Sequence, residues 1–239
     1  MISKNEVKYI QSLYHKKTRD EEGLFIAEGV KLVNELLQSD FVIKKIYATD
    51  EWSNESQHKN VQYVQKSELQ KISNLITPNH VLALAEQRKL AANPVEKNNL
   101  TIVLDGIQDP GNLGTIIRIA DWFGINQVVA STDTVDVYNP KVIQSTMGSI
   151  IRVKVWYKDI MTLLQNAAVP VYGALLNGEN IYSLNKIDEG MLVIGNESKG
   201  IRDHILPFIQ SAITIPKRGN AESLNAAVAT GIILSHLIK

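Results

Sequence analysis

The 239-residue chain contains no cysteine, and that absence removes several classes of function at once. A disulfide scaffold, a thiolate metal site and a cysteine nucleophile are all excluded. The chain also lacks an excess of charge: 25 basic and 25 acidic side chains give a formal net charge of zero. A strongly nucleic-acid-binding domain is usually basic, so the balance counts against a broad polyanion-binding surface. No apolar run approaches the roughly 20 residues that a spanning helix needs, and Met1 to Tyr14 is polar and mixed, unlike a secretory leader. A cytoplasmic protein with no membrane partner is expected, in which the sequons at Asn54, Asn99 and Asn196 carry no meaning. Common site fingerprints are missing as well. No G-x-G-x-x-G follows the first apolar strand, and neither G-x-x-x-x-G-K-[ST] nor G-x-S-x-G occurs. The histidines at positions 15, 58, 80, 204 and 236 show no ligand spacing, so no metal is expected.

What is present is the composition of a packed α/β protein, with 44% hydrophobic and 21% charged residues. The length suits one large or two modest domains. Helical periodicity is read at residues 3 to 15 and from Gly29 to Gln38, and a charged loop from Lys16 to Gly23. Strands are read at Leu24–Ala27, Ile43–Ala48, Val61–Val64 and Val81–Ala85, with a helix starting at Ser67. A polar connection is expected from Trp52 to Lys59. The polar stretch around Asn93-Pro94 and Asn98-Asn99 is the linker candidate, dividing the chain into 1–87, a linker at 88–99, and 100–239. Beyond it, strongly apolar strands alternate with helices. The strands are Thr101–Leu104, Gln127–Ala130, Ile150–Val155, Val169–Ala174, Met191–Ile194 and Ala212–Ile215. The helices are Gly114–Phe123, Pro140–Thr146, Asp159–Asn166, Ile201–Gln210 and Leu224–Leu237. Near-continuous apolar strands separated by helices imply a mostly parallel sheet covered on both faces.

Charge is unevenly spread at the start of the chain. Residues 1 to 19 hold Lys4, Lys8, Lys16, Lys17 and Arg19 against Glu6 alone, five minus one, or +4. A phosphate-contacting arm and a solvated helix face are both consistent with that excess.

Three turns after apolar strands gather polar chemistry, at the strand ends where open α/β sheets bind ligands. The first runs from Asp105 to Arg118, with Pro110-Gly111 as a tight turn and Asn112 suited to cap the following helix. Arg118 needs an anionic partner unless its head group reaches solvent. The second is Val193-Ile194-Gly195-Asn196-Glu197-Ser198-Lys199-Gly200, where glycines flank a carboxylate. The third follows Ile215-Pro216, with Ser223 at an N-cap position and Leu224, Val228, Gly231, Ile232 and Leu234 as the core stripe of the last helix. Asparagine, arginine, glutamate and serine converging on glycine-bearing turns suit recognition of a ligand with anionic parts.

Asp109-Pro110-Gly111-Asn112-Leu113-Gly114-Thr115-Ile116-Ile117-Arg118, Ile194 through Gly200, and Ile215-Pro216 through Ser223-Leu224-Asn225-Ala226-Ala227-Val228-Ala229 resemble the three signature motifs of the SpoU (TrmH) family. These are S-adenosylmethionine-dependent RNA 2′-O-ribose methyltransferases of the SPOUT superfamily. Residues of about 20 to 87, including Phe25-Ile26-Ala27-Glu28-Gly29, resemble the family's ribosomal-protein-like N-terminal substrate-binding domain.

The resemblance implies a C-terminal α/β domain with a deep trefoil knot, where general topology rules give an unknotted sheet. It also implies a homodimer. S-adenosylmethionine would lie against Gly195, Ile215 and Leu224, and Asn112, Arg118, Glu197, Ser223 and Asn225 would form the catalytic set. Arg118 would bind the phosphate beside the target ribose, with Asn112 and Glu197 orienting it. Glu197 would pair with Arg118 or a backbone amide. Lys16, Lys17, Arg19 and Lys31 would contact RNA. Ribosomal RNA is the expected substrate, with transfer RNA or a non-catalytic ribosome-assembly role as alternatives. A nucleotide-dependent oxidoreductase lacks its glycine fingerprint.

Overall fold

The computed structural model describes residues 1–53, 58–90 and 98–238. The expected polar connection at 52–59 and the linker at 88–99 lie partly outside the described residues. The chain divides into two units, one formed by Met1–Lys89 with Tyr138–Ile151, the other by Leu90–Val137 with Arg152–Lys239.

In the first unit, β1 (Leu24–Glu28) is buried at all five positions and pairs antiparallel with β4 (Val81–Glu86). β2 (Ile43–Ala48) pairs antiparallel with β4 and parallel with β3 (Val61–Tyr63), giving the order β1-β4-β2-β3. The helices are α1 (Lys4–Ser12), α2 (Lys16–Glu22), α3 (Val30–Leu37) and α4 (Lys66–Ile72). Ile10, Leu13, Ile26, Tyr47, Ile72 and Leu82 make one core cluster. The charged stretch after Lys16 is a helix and not the expected loop. Two i,i+4 acid–base pairs form along it, Lys16 with Asp20 and Lys17 with Glu21, and its C-cap is Gly23, in the left-handed region at φ +64°.

Glu28 is a buried carboxylate with all its bonding accounted for. Its oxygens accept from the Tyr14 hydroxyl at 2.9 Å, the Asn74 amide at 3.2 Å and the Ser73 hydroxyl. Burial and the neighbouring Glu28 charge together push the Tyr14 phenol well above its usual range. Three chain segments therefore meet on one buried anion, which is tolerable because both carboxylate oxygens find donors.

A helix from much later in the sequence completes this unit. α6 (Pro140–Thr146) buries Val142 and Ile143 and packs on β1, where Gln144 Nε2 donates to the Glu28 carbonyl at 2.8 Å. The Tyr138 ring stacks on Phe25 with centroids 4.8 Å apart. Arg88 closes the far end: its guanidinium donates to the carbonyls of Ile150 (3.2 Å) and Ile151 (2.7 Å) while lying over the Phe41 ring. Gly148, at φ +96°, leaves room for the Glu35 carboxylate, which an added Cβ would approach to 2.5 Å.

The second unit is a six-stranded sheet, every neighbouring pair parallel, in the order β10-β8-β9-β5-β6-β7. Its strands are β5 (Leu100–Asp105), β6 (Gln127–Ser131), β7 (Lys154–Lys158), β8 (Val171–Asn180), β9 (Gly190–Gly195) and β10 (Ser211–Thr214). The parallel sheet expected from the apolar strands is what forms, and β5 and β6 are buried at every position. The helices are α5 (Pro110–Trp122), α7 (Ile160–Gln165) and α8 (Ala226–Leu237).

Three expectations fail here. The strand placed at 150–155 begins at Lys154, because Ser149–Ile151 forms a 3-10 turn within the first unit. The stretch 201–210 holds only a 3-10 turn at Leu206–Phe208, since Pro207 removes an amide that a longer helix would use. On α8 the buried face is Ala226, Ala227, Thr230, Ile233, Leu234 and Leu237. Leu234 is buried as expected, but Leu224 and Val228 are about half exposed, so the core stripe is rotated from the one expected.

A fragment ending at Lys89 lacks the helix that covers Phe25 and β1. It should melt well below the same fragment supplied with a peptide of residues 138–151, as followed by circular dichroism; equal melting with and without the peptide would contradict this packing.

Candidate active site

β5 and β9 are adjacent, and Asp105 and Gly195 are register partners at their carboxyl ends. The first two polar turns therefore start side by side. The third reaches them because α8 packs across α5, close enough that an added Cβ on Gly231 would lie 3.5 Å from Ile119 Cδ1. Sequence-distant turns thus meet at one point.

The caps are displaced from those expected. Asp109, and not Asn112, caps α5: its carboxylate accepts the Asn112 amide at 2.8 Å, and Pro110 fills the first helical position. Asn225, and not Ser223, caps α8, its Oδ1 accepting from the amides of Ala227 (3.0 Å) and Val228 (3.2 Å). Both displaced residues are thereby left for other contacts. Asn112 bridges the turns, and Ser223 sits exposed in the loop before α8, with no bond to the described residues.

A directed chain of amides results. Asn225 must turn its oxygen towards the helix amides, so its Nδ2 points away and donates to Asn112 Oδ1 at 2.8 Å. Asn112 Nδ2 is then the group that faces Glu197, donating to Oε1 at 2.6 Å. Both ends of the chain demand the same orientation, because one end is a set of donors and the other a carboxylate. Glu197, half-buried, has its second oxygen without a partner among the described residues. The expected pairing of Glu197 with Arg118 or a backbone amide is not what the structure shows; the Asn112 side chain takes that place. Arg118 is exposed on α5 and makes no ion pair or hydrogen bond with the described residues.

The loop carrying Glu197 is tightly closed. Asn196 and Gly200 exchange backbone hydrogen bonds at 3.0 and 2.9 Å, and Asn196 Nδ2 donates to the Gly106 carbonyl at 2.7 Å. A Cβ on Gly195 would lie 2.2 Å from both Gly200 C and Ile201 N, so only glycine permits this closure. Beneath it lies Asp105, fully buried, whose carboxylate accepts from the Arg202 amide at 2.8 Å and from Arg202 Nε at 2.5 Å. Arg202 also reaches Asp133 at 3.3 Å. A hydrogen bond from Ser131 outweighs partial burial and, with the Arg202 charge, holds the Asp133 carboxyl below its usual range. Sequence reading passed over this Asp105–Arg202–Asp133 cluster, although an aspartate ending an all-apolar strand was a visible signal.

A cleft of about 770 Å³ opens beside the chain of amides, at the ends of β8, β9 and β10. Gly195, Ile215 and Leu224, the three residues expected to hold the cofactor, all line it, together with Ile194, Ile213 and Ile233. Glu197 and Ser223 face the same space. Its size and apolar wall suit a nucleoside-sized ligand, with polar groups confined to the rim. Among the described residues, no group of three or more His, Asp or Glu is placed to hold a metal ion.

Residues 99–235 match the SpoU rRNA Methylase family, and residues 4–83 match the MRM3-like substrate binding domain. The chain belongs to the SpoU family. Among SpoU relatives, 23S rRNA (guanosine(2553)-2′-O)-methyltransferase RlmP of Bacillus subtilis (strain 168) is 33% identical, the alignment covering 98% of this chain and 97% of that protein. A TrmH-family structure from Porphyromonas gingivalis is 36% identical with a TM-score of 0.89, covering 100% of this chain and 98% of that one. An AdoMet-bound rRNA methyltransferase from Sinorhizobium meliloti is 30% identical with a TM-score of 0.86, covering 99% and 96% respectively. The α/β architecture is thus that of SpoU methyltransferases.

The candidate RNA-contacting residues are placed differently from one another. Lys16, Lys17 and Lys31 are on exposed helix faces, whereas Arg19 is 2% exposed and donates to the carbonyls of Leu13 (3.1 Å) and Tyr14 (2.9 Å). Arg19 is a structural tie and not a surface cation. Its long stem and five donors let a cation serve inside the unit.

The amide chain makes a stability prediction independent of activity. Asn225→Asp keeps an equally good cap but cannot donate to Asn112, which must then turn its oxygen towards Glu197 or lose a bond. A loss of about 0.5–1.5 kcal/mol is expected, the net worth of one hydrogen bond, because the Asn225 amide is exposed. Glu197→Gln alone should cost little, and added to Asn225→Asp it should recover part of the loss, giving a coupling energy of about 0.5–1 kcal/mol in urea denaturation. Strict additivity would mean the chain is not formed.

Proposed function

We propose that this SpoU-family chain transfers the methyl group of S-adenosylmethionine to a ribose 2′-hydroxyl of ribosomal RNA. The observation that carries the reading is the joining of the cleft lined by Gly195, Ile215 and Leu224 to the Asn225–Asn112–Glu197 chain. The relatives named for 23S rRNA 2′-O-methylation and the AdoMet-bound neighbour support it. Residues 1–87 act as the RNA-selecting domain, supported by the match over 4–83.

The cofactor supplies an electrophilic methyl carbon on a sulfonium. Attack by the ribose oxygen would form the O–CH₃ bond as the C–S bond breaks, leaving a neutral thioether, and the hydroxyl proton would pass to water. Ile194, Ile213, Ile215, Leu224 and Ile233 exclude water from one side of the cleft, and the closed Gly195–Gly200 loop presents backbone groups to it. Arg118 is a poor base, because a guanidinium stays protonated; its free head group instead holds the phosphate next to the target ribose and polarises the hydroxyl. The open oxygen of Glu197 accepts that hydroxyl's hydrogen bond, while Asn112 and Asn225 fix the carboxylate's direction. Ser223, at the rim, contacts the RNA. Positioning of this kind is worth up to about 7–11 kcal/mol.

We also propose that the active form is a homodimer in which α5 and α8 contribute to the contact and that the second unit carries the family's trefoil knot. Supporting the dimer, Trp122 is 84% exposed on α5, and Leu224, just before α8, and Val228 on α8 are about half exposed.

The test is methyl transfer from labelled S-adenosylmethionine into total RNA from cells lacking this gene, with alkali resistance of the product marking 2′-O-methylation. Arg118→Ala should lower turnover by about 10²–10³-fold or more, the cost of one preorganised transition-state donor, with S-adenosylhomocysteine binding nearly unchanged. A mutant at wild-type rate would sink the assignment. Sedimentation should give twice the monomer mass, and Trp122→Glu should reduce it; a monomeric wild type would remove the dimer.

A further inference from the structure

The exposed lysines first considered for RNA each meet a carboxylate one helical turn on. Lys16 pairs with Asp20 at 2.6 Å, Lys17 with Glu21 at 3.9 Å and Lys31 with Glu35 at 4.0 Å. Their charge is locally balanced, so little remains to attract a polyanion from that face. Cations at the cleft are in a different state. Lys199, Lys217 and Arg218 line it and are exposed, and their side chains make no ion pair or hydrogen bond with any described residue.

Lys217 and Arg218 are consecutive in the exposed loop between β10 and α8, and Lys199 stands on the separate loop after β9. Two carboxylates, Glu197 and Glu222, share the cleft, but neither pairs with any of the three cations, which outnumber them. Nor does the proposed cofactor neutralise them, since it carries a sulfonium and an ammonium against one carboxylate and is itself net cationic. Three cations against two carboxylates leave the lining one positive charge in excess before a cationic ligand enters, which favours an anion at the rim. In a chain of zero net charge, this excess of unpaired cations marks where the polyanion lies.

We propose that Lys217 and Arg218, assisted by Lys199, form a phosphate grip for the RNA strand whose ribose is methylated. The ligand is the sugar–phosphate backbone beside the target nucleotide, held by charge and not read by sequence. This inference rests on the methyltransferase reading of the cleft. The grip sets the register of the strand over the open oxygen of Glu197, while selection of the RNA is left to the first unit. Because the loop is exposed, charge reversal there removes no packing.

The test uses the full-length chain with Lys217→Glu/Arg218→Glu and, in parallel, Lys16→Glu/Lys17→Glu. Binding of an in vitro transcribed 23S rRNA is measured over a range of salt concentrations, and S-adenosylhomocysteine binding by calorimetry. Lys217→Glu/Arg218→Glu should weaken RNA binding by about tenfold or more and lower the slope of log affinity against log salt by about 1.4, the value for two phosphate contacts on a single strand. S-adenosylhomocysteine should bind it as it binds the wild type, and KM for RNA should rise with kcat retained. The Lys16→Glu/Lys17→Glu chain should keep both RNA affinity and slope. Wild-type affinity and slope in Lys217→Glu/Arg218→Glu, or a larger loss in Lys16→Glu/Lys17→Glu, would overturn the grip. A wild-type chain that binds no S-adenosylhomocysteine would sink the methyltransferase reading instead, and the RNA-binding comparison would still decide the grip.

Discussion

Asn225 has one amide group and two demands on it. The first turn of α8 needs an acceptor, and Asn112 on α5 needs a donor. Meeting both fixes which way the side chain faces, and that choice passes through Asn112 to Glu197. Most of the site geometry follows from this constraint together with the packing of α8 on α5. If α8 were displaced by one turn, the cap, the bridge and the orientation of the carboxylate would all be lost together. A serine or aspartate at 225 would cap the helix as well but could not supply the second bond with the same polarity.

Under the chain of amides lies a second device of a different kind. The Asp105 carboxylate, without exposure to solvent, is one of the costlier groups to bury, and its pairing with Arg202 makes that burial tolerable. The cluster anchors the loop after β9 from below while Gly195 lets the loop close from above. Glu197 is thus held at a point that neither anchor touches directly. Rigidity around an open carboxylate oxygen is what a positioning mechanism requires.

The sequence made the apolar strands, their parallel arrangement and the three polar turns legible, because buried parallel strands read as near-continuous hydrophobic runs. It also made the converging residues legible, but through motif resemblance more than through chemistry. Caps were misassigned by two or three residues, at Asn112 for Asp109 and at Ser223 for Asn225, since each stretch offers several side chains that cap equally well. Arg19 looked like a surface cation because nothing local announces that its donors are needed by the carbonyls of Leu13 and Tyr14. The rotated core face of α8 is a tertiary outcome: Leu224 and Val228 have the spacing of a core stripe, yet both are about half exposed, while Gly231 of the same stripe meets Ile119 on α5.

The return of residues 138–151 to the first unit has a consequence for how the protein is made. Synthesis runs from the N-terminus, and domains generally fold in that order as they emerge. Here β1 is translated early but waits for Val142 and Ile143 to cover it, after β5, α5 and β6 have already been translated. The N-terminal unit is therefore completed only after residues 90–137 of the second unit have been made, and the chain passes between the units three times, near residues 89, 137 and 151. Exchange of substrate-binding units between relatives by a single recombination at the linker would leave α6 matched to the wrong sheet. Such an exchange has to carry two segments of the gene at once.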